Sequence, residues 1–246
     1  MDRFNYDRVA LKKKAKSIVR AAKPSPILIA AIVVLLSLLI NSLLSSIFLS
    51  GYNVEALQEA AANGDIKTFE HYFMEGQSHG YSAGAYILNA ALNMISIVVS
   101  FGFSIFIINT VRNTEPCAGN LLDGFSMVFK VLWLYILEGI FVFLWCLLFI
   151  VPGIIALYKY RMAKYILIEH PEMRVIDCIK ESKAMMKGNK GTLFELDLSF
   201  IGWYILMLFP YIGYIAQIEL LPYAETSYVL FYDFISGKPV DYGFVY

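Results

Sequence analysis

The chain has 246 residues, of which 59% are hydrophobic and 16% are charged, and its mean hydropathy is +0.61. Soluble domains have roughly 45–50% apolar and about 25% charged residues, so this composition excludes an ordinary water-soluble domain and indicates membrane spans. The 20 basic and 20 acidic residues cancel, which gives no support to a nucleic-acid partner. The three cysteines are too far apart for a metal motif, and nothing in their number implies disulfides.

The N-terminal segment, residues 1–23, is basic and repeats apolar residues at near-helical spacing. It predicts a basic amphipathic helix on the inner membrane surface. The alternative is a solvated cytoplasmic tail that follows the positive-inside rule. Ser25 as N-cap and Pro26 as the first helical residue then open a first span over residues 27–49. This span is free of charge and, at ~1.5 Å per residue, long enough to cross a hydrocarbon core of ~30 Å.

The next segment, residues 51–82, is an acidic loop that we predict to lie on the extracytoplasmic side. It contains a helix over 54–62, a break at Asn63-Gly64 and a second short helix around 66–74. A second span follows over 83–111 and ends at Arg112. Many tyrosines near predicted span ends indicate aromatic belts at headgroup level: Tyr52, Tyr81, Tyr86, Tyr211, Tyr214 and Tyr232.

Two membrane hairpins make up the rest of the chain. In the first, Pro152-Gly153 joins helices near 127–150 and 154–169, because Pro lacks an N–H and Gly accepts positive φ. In the second, Pro210 and Gly213 join spans 192–209 and 215–235, with Pro222 as a kink. Residues 172–187 connect the hairpins as a cytoplasmic amphipathic helix, with a C-cap at Gly188.

These elements predict an all-α, polytopic integral membrane bundle of about six spans. The alternative is four spans with 154–169 re-entrant or interfacial. Basic residues in short loops place both termini in the cytoplasm. The predicted parts are the basic helix 1–23, the first two spans within 24–112 with their outer loop 51–82, and the two hairpins within 113–246.

The later part of the chain carries a family resemblance. The motif residues are Phe149-Ile150-Val151-Pro152-Gly153-Ile154-Ile155, Tyr158, Tyr160, Met162, Glu181-Ser182, Met186, Lys187-Gly188-Asn189-Lys190-Gly191, Leu198-Ser199-Phe200-Ile201-Gly202-Trp203, Pro222-Tyr223 and Phe231-Tyr232. On these residues the chain resembles the bacterial membrane proteins described as domain of unknown function 975, and more distantly the membrane domain of some glycerophosphodiester phosphodiesterases. The resemblance implies a multi-pass protein of the bacterial plasma membrane and implies no activity.

Ionisable residues inside predicted spans are the first candidate functional group. Each costs ~2.5–3.5 kcal/mol at a span centre, so such residues tend to be paired or functional. Counting from the turns places Glu138 level with Lys164, and Asp197 level with Glu225, and we expect Glu138 to neutralise Arg161 or Lys164. The alternative is that these side chains reach the interface. The candidate network is Glu138, Lys159, Arg161, Lys164, Asp197 and Glu225.

Small and amide side chains in the first two spans form the second candidate group. They repeat every three or four residues, which favours close helix packing with interhelical hydrogen bonds. The alternative is a polar path, as in a small-solute permease. The stripe comprises Ser37, Asn41, Ser45, Asn89, Asn93, Ser96 and Ser100, continuing to Ser104.

We searched for enzyme motifs and find none of the metalloprotease, phosphate-loop or nucleophile-elbow type. We therefore expect a non-enzymatic protein without a cofactor that handles a small solute or lipid or supports its transport. The alternative is a scaffold, immunity or sensor protein acting through loop 51–82, and a third function is an intramembrane lipid-modifying enzyme. Anionic lipids at a basic inner face are the expected partners, together with a small solute or a partner membrane protein.

Overall fold

The computed structural model describes residues 6–49, 52–78, 83–209 and 212–238. All regular elements in these residues are helical, as predicted. The α-helices are α1 (Arg8–Ala21), α2 (Pro26–Leu49), α3 (Val54–Ala62), α4 (Ile66–Ser78), α5 (Ala83–Arg112), α6 (Asn120–Asp123), α7 (Val128–Leu148), α8 (Ile150–Tyr160), α9 (Ala163–Glu169), α10 (Val175–Met185), α11 (Lys190–Leu198), α12 (Ile201–Leu206) and α13 (Ile212–Ile235), with a 3₁₀ turn over Gly124–Met127. The predicted turn residue Pro210 and the belt residues Tyr81 and Tyr211 lie outside the described residues.

Three helical stretches are long and apolar enough to cross a membrane: Pro26–Ser46, Gly84–Arg112 and Asn120–Leu148. They coincide with the first three predicted spans. The predicted fourth span is divided between α8 and α9, and the predicted fifth between α11 and α12. The last helix, α13, has 24 residues but carries Glu219, Glu225 and Asp233 among its apolar side chains.

The chain divides into two compact units, a smaller one of Leu35–Ile97 and a larger one of Met1–Val34 with Val98–Tyr246. In the smaller unit α3 and α4 form the predicted helical hairpin. Asn53 caps α3 by accepting a hydrogen bond from the Ala56 N–H at 3.1 Å. Gly64 takes φ +67° between the two helices, a left-handed conformation that glycine adopts without steric cost. Asp65 then accepts hydrogen bonds from the Thr68 N–H and hydroxyl, which lower the pKa of its carboxyl.

The core of the larger unit is built from the second half of α5, from α9 and from the second half of α13. Their largest fully buried side chains include Phe101, Phe106, Ile107, Tyr165, Ile166 and Phe231. In α5, close packing to neighbouring backbone occurs at Gly102, where an added Cβ would lie 2.2 Å from the Leu121 carbonyl oxygen of α6. The core of this unit is therefore helix against helix, with glycine where two backbones meet.

The α7–α8 hairpin is present, but Pro152-Gly153 is not its turn. The reversal is at Phe149, whose φ of −163° and ψ of 153° interrupt the helices, and Pro152-Gly153 lies in the first turn of α8. Pro152 is tolerated there because N–H groups in the first turn have no intrahelical acceptor. Gly153 is required by packing instead of by φ, since an added Cβ would lie 2.1 Å from the Cys146 Sγ of α7. The predicted positive φ at Gly153 is therefore wrong.

The two amphipathic helices, α1 and α10, bury most of their apolar residues in the protein, although Ile176 of α10 is exposed. In α1, Leu11, Ala15 and Val19 are buried, and the helix packs along α13. In α10, Val175, Ile179 and the following Met186 are buried against α7, α8 and α9. The prediction that α1 rests on the membrane with its apolar side is therefore wrong, because α13 covers that side. Lys13 and Lys16 of α1 and Lys180 and Lys183 of α10 are exposed, whereas Lys12 is half-buried. Gly188 ends the α10 segment at φ +88°, as predicted.

The Ser182 hydroxyl of α10 hydrogen-bonds two backbone groups at the break between α8 and α9. The hydroxyl donates to the Lys159 carbonyl at 2.9 Å and accepts from the Met162 N–H at 3.2 Å. Both backbone groups lie where the helical hydrogen-bond ladder is interrupted, and Ser182 is completely buried. The two backbone hydrogen-bonding groups at the break are thus satisfied. Helix α9 follows the break as a separate helix.

Candidate functional site

Three clusters of charged and tyrosine side chains lie along one face of α13. The face is formed by Glu225, Tyr228 and Tyr232, spaced by three and four residues, which places them in a row on an α-helix. Each cluster joins at least one carboxylate to at least one cation and one tyrosine hydroxyl. We name them, by their central residues, the Asp197, Glu225 and Arg112 clusters.

The Glu225 cluster is centred on a single carboxylate oxygen. The Glu225 Oε1 atom accepts hydrogen bonds from the Lys164 ammonium at 2.7 Å, the Ser104 hydroxyl at 2.7 Å and the Tyr165 hydroxyl at 3.0 Å. Only 12% of the Glu225 side chain and 22% of the Lys164 side chain are exposed. Helices α5, α9 and α13 meet here without leaving an unpaired charge, because the carboxylate and the ammonium neutralise each other.

The Asp197 cluster follows on the side towards α11. The Arg161 guanidinium donates to Asp197 Oδ2 at 3.1 Å, and the Tyr158 hydroxyl donates to the same oxygen at 2.9 Å. The Tyr228 hydroxyl donates to Asp197 Oδ1 at 2.7 Å, so both carboxylate oxygens are used. Arg161 also lies 4.4 Å above the ring of Tyr228, a cation–π contact that fixes the guanidinium next to α13.

The Arg112 cluster lies near the C-terminal ends of α5, α9 and α13. Arg112 pairs with Asp233 at 2.6 Å and with Glu169, and Glu169 also pairs with Lys238. The Tyr232 hydroxyl donates to Glu169 at 2.7 Å. The ring of Tyr232 lies 5.4 Å from that of Tyr165, which connects this cluster to the Glu225 cluster. Two acids and two bases balance, so the cluster is neutral overall.

The structure distributes the predicted network residues differently from the expected pairing. Arg161 and Asp197 come together, and so do Lys164 and Glu225. Glu138 forms no ion pair or hydrogen bond with another described residue. Its interaction with Lys164 is a longer-range electrostatic attraction. Glu138 is therefore not the ion-pair partner of either base, because each base has a closer carboxylate. Lys159 lies 4.6 Å above the ring of Trp145 and joins none of the three clusters.

The polar stripe from Ser37 to Ser100 consists of half-buried and exposed side chains. Asn93 donates to the carbonyl and side-chain oxygens of Asn89, and Ser45 donates to the Asn41 carbonyl, so these bonds run along single helices. The side chains of Asn41, Ser45, Asn93 and Ser100 are exposed, while those of Ser37, Asn89 and Ser96 are half-buried. Ser104, at the end of the stripe, belongs to the Glu225 cluster.

Several cluster residues were not singled out from the sequence. The tyrosines Tyr158, Tyr165 and Tyr228 look like ordinary aromatic residues of apolar helices, and Tyr232 was predicted to lie in an aromatic belt. That prediction is wrong, because Tyr232 is 3% exposed and donates to Glu169. The spacing of Glu225, Tyr228 and Tyr232 on α13 is the one signal that could have revealed the row. Arg112 was predicted only as the end of the second span, and the sequence did not single out Glu169 or Asp233.

The described residues hold no group of three or more His, Cys, Asp or Glu side chains arranged for a metal. The free cysteines Cys117 and Cys146 are exposed and Cys178 is buried. On α10, the pKa of the Asp177 carboxyl is lowered by hydrogen bonds from Arg174 and Lys180, which is an exposed surface arrangement. The three clusters are hydrogen-bonded networks of carboxylates, cations and phenols, in which neighbouring hydrogen bonds polarise one another.

The curated proteins and the solved structures contain no match to this chain. A link to the glycerophosphodiester phosphodiesterases is not shown. A family model described as "Protein of unknown function (DUF975)" matches residues 149–238, which include most members of the three clusters but not Ser104 or Arg112. The predicted resemblance to that family is thereby confirmed over the stretch from the start of α8 to the end of α13.

Proposed function

We propose that this chain is a non-enzymatic, multi-pass protein of a bacterial plasma membrane that handles a small solute or lipid or supports its transport. The observation that carries the proposal is the row of three charged clusters along α13. Charged groups among membrane helices are costly, and replacing a buried ion pair by apolar residues is often neutral or stabilising. A fold alone would not need three such clusters, so their presence favours a function that uses charge.

The position of the row fits an aqueous approach from one side. Ser104 lies eight residues before Arg112, the last residue of the second candidate span, which is about 12 Å along a helix. The Glu225 cluster is therefore in the half of that span nearer to Arg112. We place that half on the cytoplasmic side, because basic residues concentrate in 1–23 and 170–191.

The topology proposed is six crossings with both termini in the cytoplasm, in which the divided helices α8–α9 and α11–α12 each complete one crossing. Divided helices also occur at the solute sites of many transporters, which favours this arrangement for a protein that handles a small solute. Loop 51–82 is then extracytoplasmic.

Cysteine labelling tests this topology. In a variant without native cysteines, single cysteines at the exposed positions Lys13, Asp65 and Lys183 are treated with an impermeant maleimide on intact cells. We expect labelling at position 65 alone, and labelling at all three after permeabilisation. Labelling at position 183 in intact cells would contradict the six-span arrangement.

Retention of a bound molecule tests the role of the clusters. The double variant Lys164→Met/Glu225→Gln removes both charges and keeps an acceptor oxygen for Ser104 and Tyr165. The matched control, Lys180→Met/Asp177→Asn, removes an exposed pair on α10. Native mass spectrometry of purified proteins should find the same bound small molecules in wild type and control, and loss of most of that signal in the Lys164/Glu225 variant. Identical spectra for all three would mean that the clusters serve folding only.

A second candidate function is a scaffold, immunity or sensor role through the outer loop. The observation that favours it is the exposed apolar side of α4, where Ile66 is 77% and Met74 is 59% exposed and Phe69 stacks on Phe73 at 6.1 Å. Exposed acidic residues surround this side. A partner surface would explain both features. Identical bound molecules in the experiment above, combined with crosslinks from α4 to another membrane protein, would favour this function over the first.

A further inference from the structure

A cavity of about 310 Å³ lies between α1, the break that separates α11 from α12, and α13. Four of its lining residues are basic, and Ser199 and Tyr223 form the opposite side. The basic residues are Arg8, Lys12, Lys13 and Lys16, which successive turns of α1 direct to one side. The cavity is distinct from the three clusters.

The positive charge of this cavity is not neutralised by any carboxylate among the described residues. Among the described residues, none of the four basic side chains forms an ion pair with a carboxylate. The adjacent Asp7 is engaged in capping α1, where it accepts hydrogen bonds from the Val9 and Ala10 N–H groups. Burial and the neighbouring charge of Arg8 lower the pKa of Lys12, as expected for a cation placed near other cations.

The cavity is also held in position. The Lys12 ammonium donates to the carbonyl and hydroxyl oxygens of Ser199, both at 3.0 Å, and lies 4.2 Å above the ring of Phe200. Arg8 donates to the Glu195 carbonyl at 3.3 Å. These bonds satisfy carbonyl groups at the C-terminal end of α11 and anchor α1 to the break. Lys13 and Lys16, which form no such bonds in the described residues, stay directed to the cavity.

We propose that this cavity binds a phosphate group, and specifically the phosphodiester headgroup of an anionic membrane lipid. Four cations around a space of this size match one or two negative charges with several acceptor oxygens. The residues that flank Ser199 favour a lipid over a free anion, because Leu198 is 49% and Ile201 is 53% exposed and both offer apolar surface to acyl chains. The site rests on the proposed membrane location and specifies a lipid class for it.

The test compares two double variants of equal charge change on the same helix. Lys13→Gln/Lys16→Gln removes two cavity cations and leaves the anchoring bonds of Lys12 and Arg8 intact. Lys14→Gln/Arg20→Gln removes two cations of α1 that do not line the cavity. Each full-length protein is placed in phosphatidylcholine nanodiscs with increasing phosphatidylglycerol, and lipids that remain bound are counted by native mass spectrometry.

We expect the cavity variant to bind phosphatidylglycerol about 100-fold more weakly, since it loses two charge-assisted hydrogen bonds to the phosphate and each contributes a factor of about ten. The affinity of the Lys14/Arg20 variant for phosphatidylglycerol should change by less than about threefold. Equal losses in both variants would overturn the site and indicate diffuse attraction by α1, and so would the absence of loss in both. A chain that fails to enter nanodiscs would contradict the proposed membrane protein itself, which separates the two failures.

A second arm separates a lipid from a soluble anion. Inorganic phosphate at millimolar concentration is added to the same proteins in phosphatidylcholine nanodiscs, and thermal unfolding is measured. Stabilisation by phosphatidylglycerol that exceeds any stabilisation by phosphate supports the lipid headgroup. Stabilisation by phosphate alone, lost in the cavity variant, would overturn the lipid assignment.

Discussion

Replacing Glu225 by alanine is expected to lower the free energy of unfolding by about 3–5 kcal/mol, because the Lys164 ammonium then remains in the larger unit without a carboxylate. The same change removes the acceptor of the Ser104 and Tyr165 hydroxyls. Removing the cation as well, in Glu225→Ala/Lys164→Met, should recover part of the loss, since no lone charge remains. Unfolding in mixed micelles with increasing dodecyl sulfate provides the measurement.

Glu138→Ala is the control for this prediction. It deletes a carboxyl from an apolar helix in the same unit, but Glu138 has no ion-pair partner among the described residues. Glu138→Ala should therefore lower the free energy of unfolding much less than Glu225→Ala does. If Lys164→Met rescues Glu138→Ala and not Glu225→Ala, then the pairing in the structure is not the one that stabilises the protein.

The sequence singled out the four charged residues of the Asp197 and Glu225 clusters but did not predict how they pair. The depth of Lys164 was counted along a continuous helix from Pro152, which placed it level with Glu138. The helix is interrupted at Arg161–Met162, where Ser182 accepts and donates the orphaned hydrogen bonds. An interruption changes both rise and direction, so residues beyond it cannot be placed by counting. Lys164 consequently reaches α13 and Glu225.

Local features of the fold were predictable because they depend on neighbouring residues. The start of α2 at Pro26, the α3–α4 hairpin at Asn63-Gly64 and the end of α5 at Arg112 follow from caps, glycine and apolar runs. What covers the apolar side of α1 was not predictable in the same way. The composition of a basic amphipathic helix suits its apolar side equally well to lipid and to another helix. Only the fold shows that α13 covers the apolar side of α1.

Gly102→Ala is expected to have the second large effect, a loss of about 1–3 kcal/mol or more through overpacking between α5 and α6. The added Cβ would lie 2.2 Å from the Leu121 carbonyl oxygen, 2.6 Å from its carbon and 2.8 Å from the Cα. All three are backbone atoms, so no rotation of a side chain relieves the contact. Nearby, a Cβ on Gly124 would lie 2.6 Å from the Val98 carbonyl oxygen, so α5 is approached closely at two levels.

Gly139→Ala in α7 is the matched control, since a Cβ there meets no atom within 4 Å. With no clash, the substitution should follow helix propensity and stabilise by about 0.5–1 kcal/mol. The two substitutions are chemically identical and both lie inside long helices. If Gly102→Ala lowers the free energy of unfolding and Gly139→Ala raises it, the difference is due to the packing at Gly102. Equal effects would mean that α6 moves away freely. Leu121→Ala should not rescue Gly102→Ala, because the obstructing atoms are main chain, whereas Cys146→Ala should partly relieve Gly153→Ala, where the nearest atom is a sulfur.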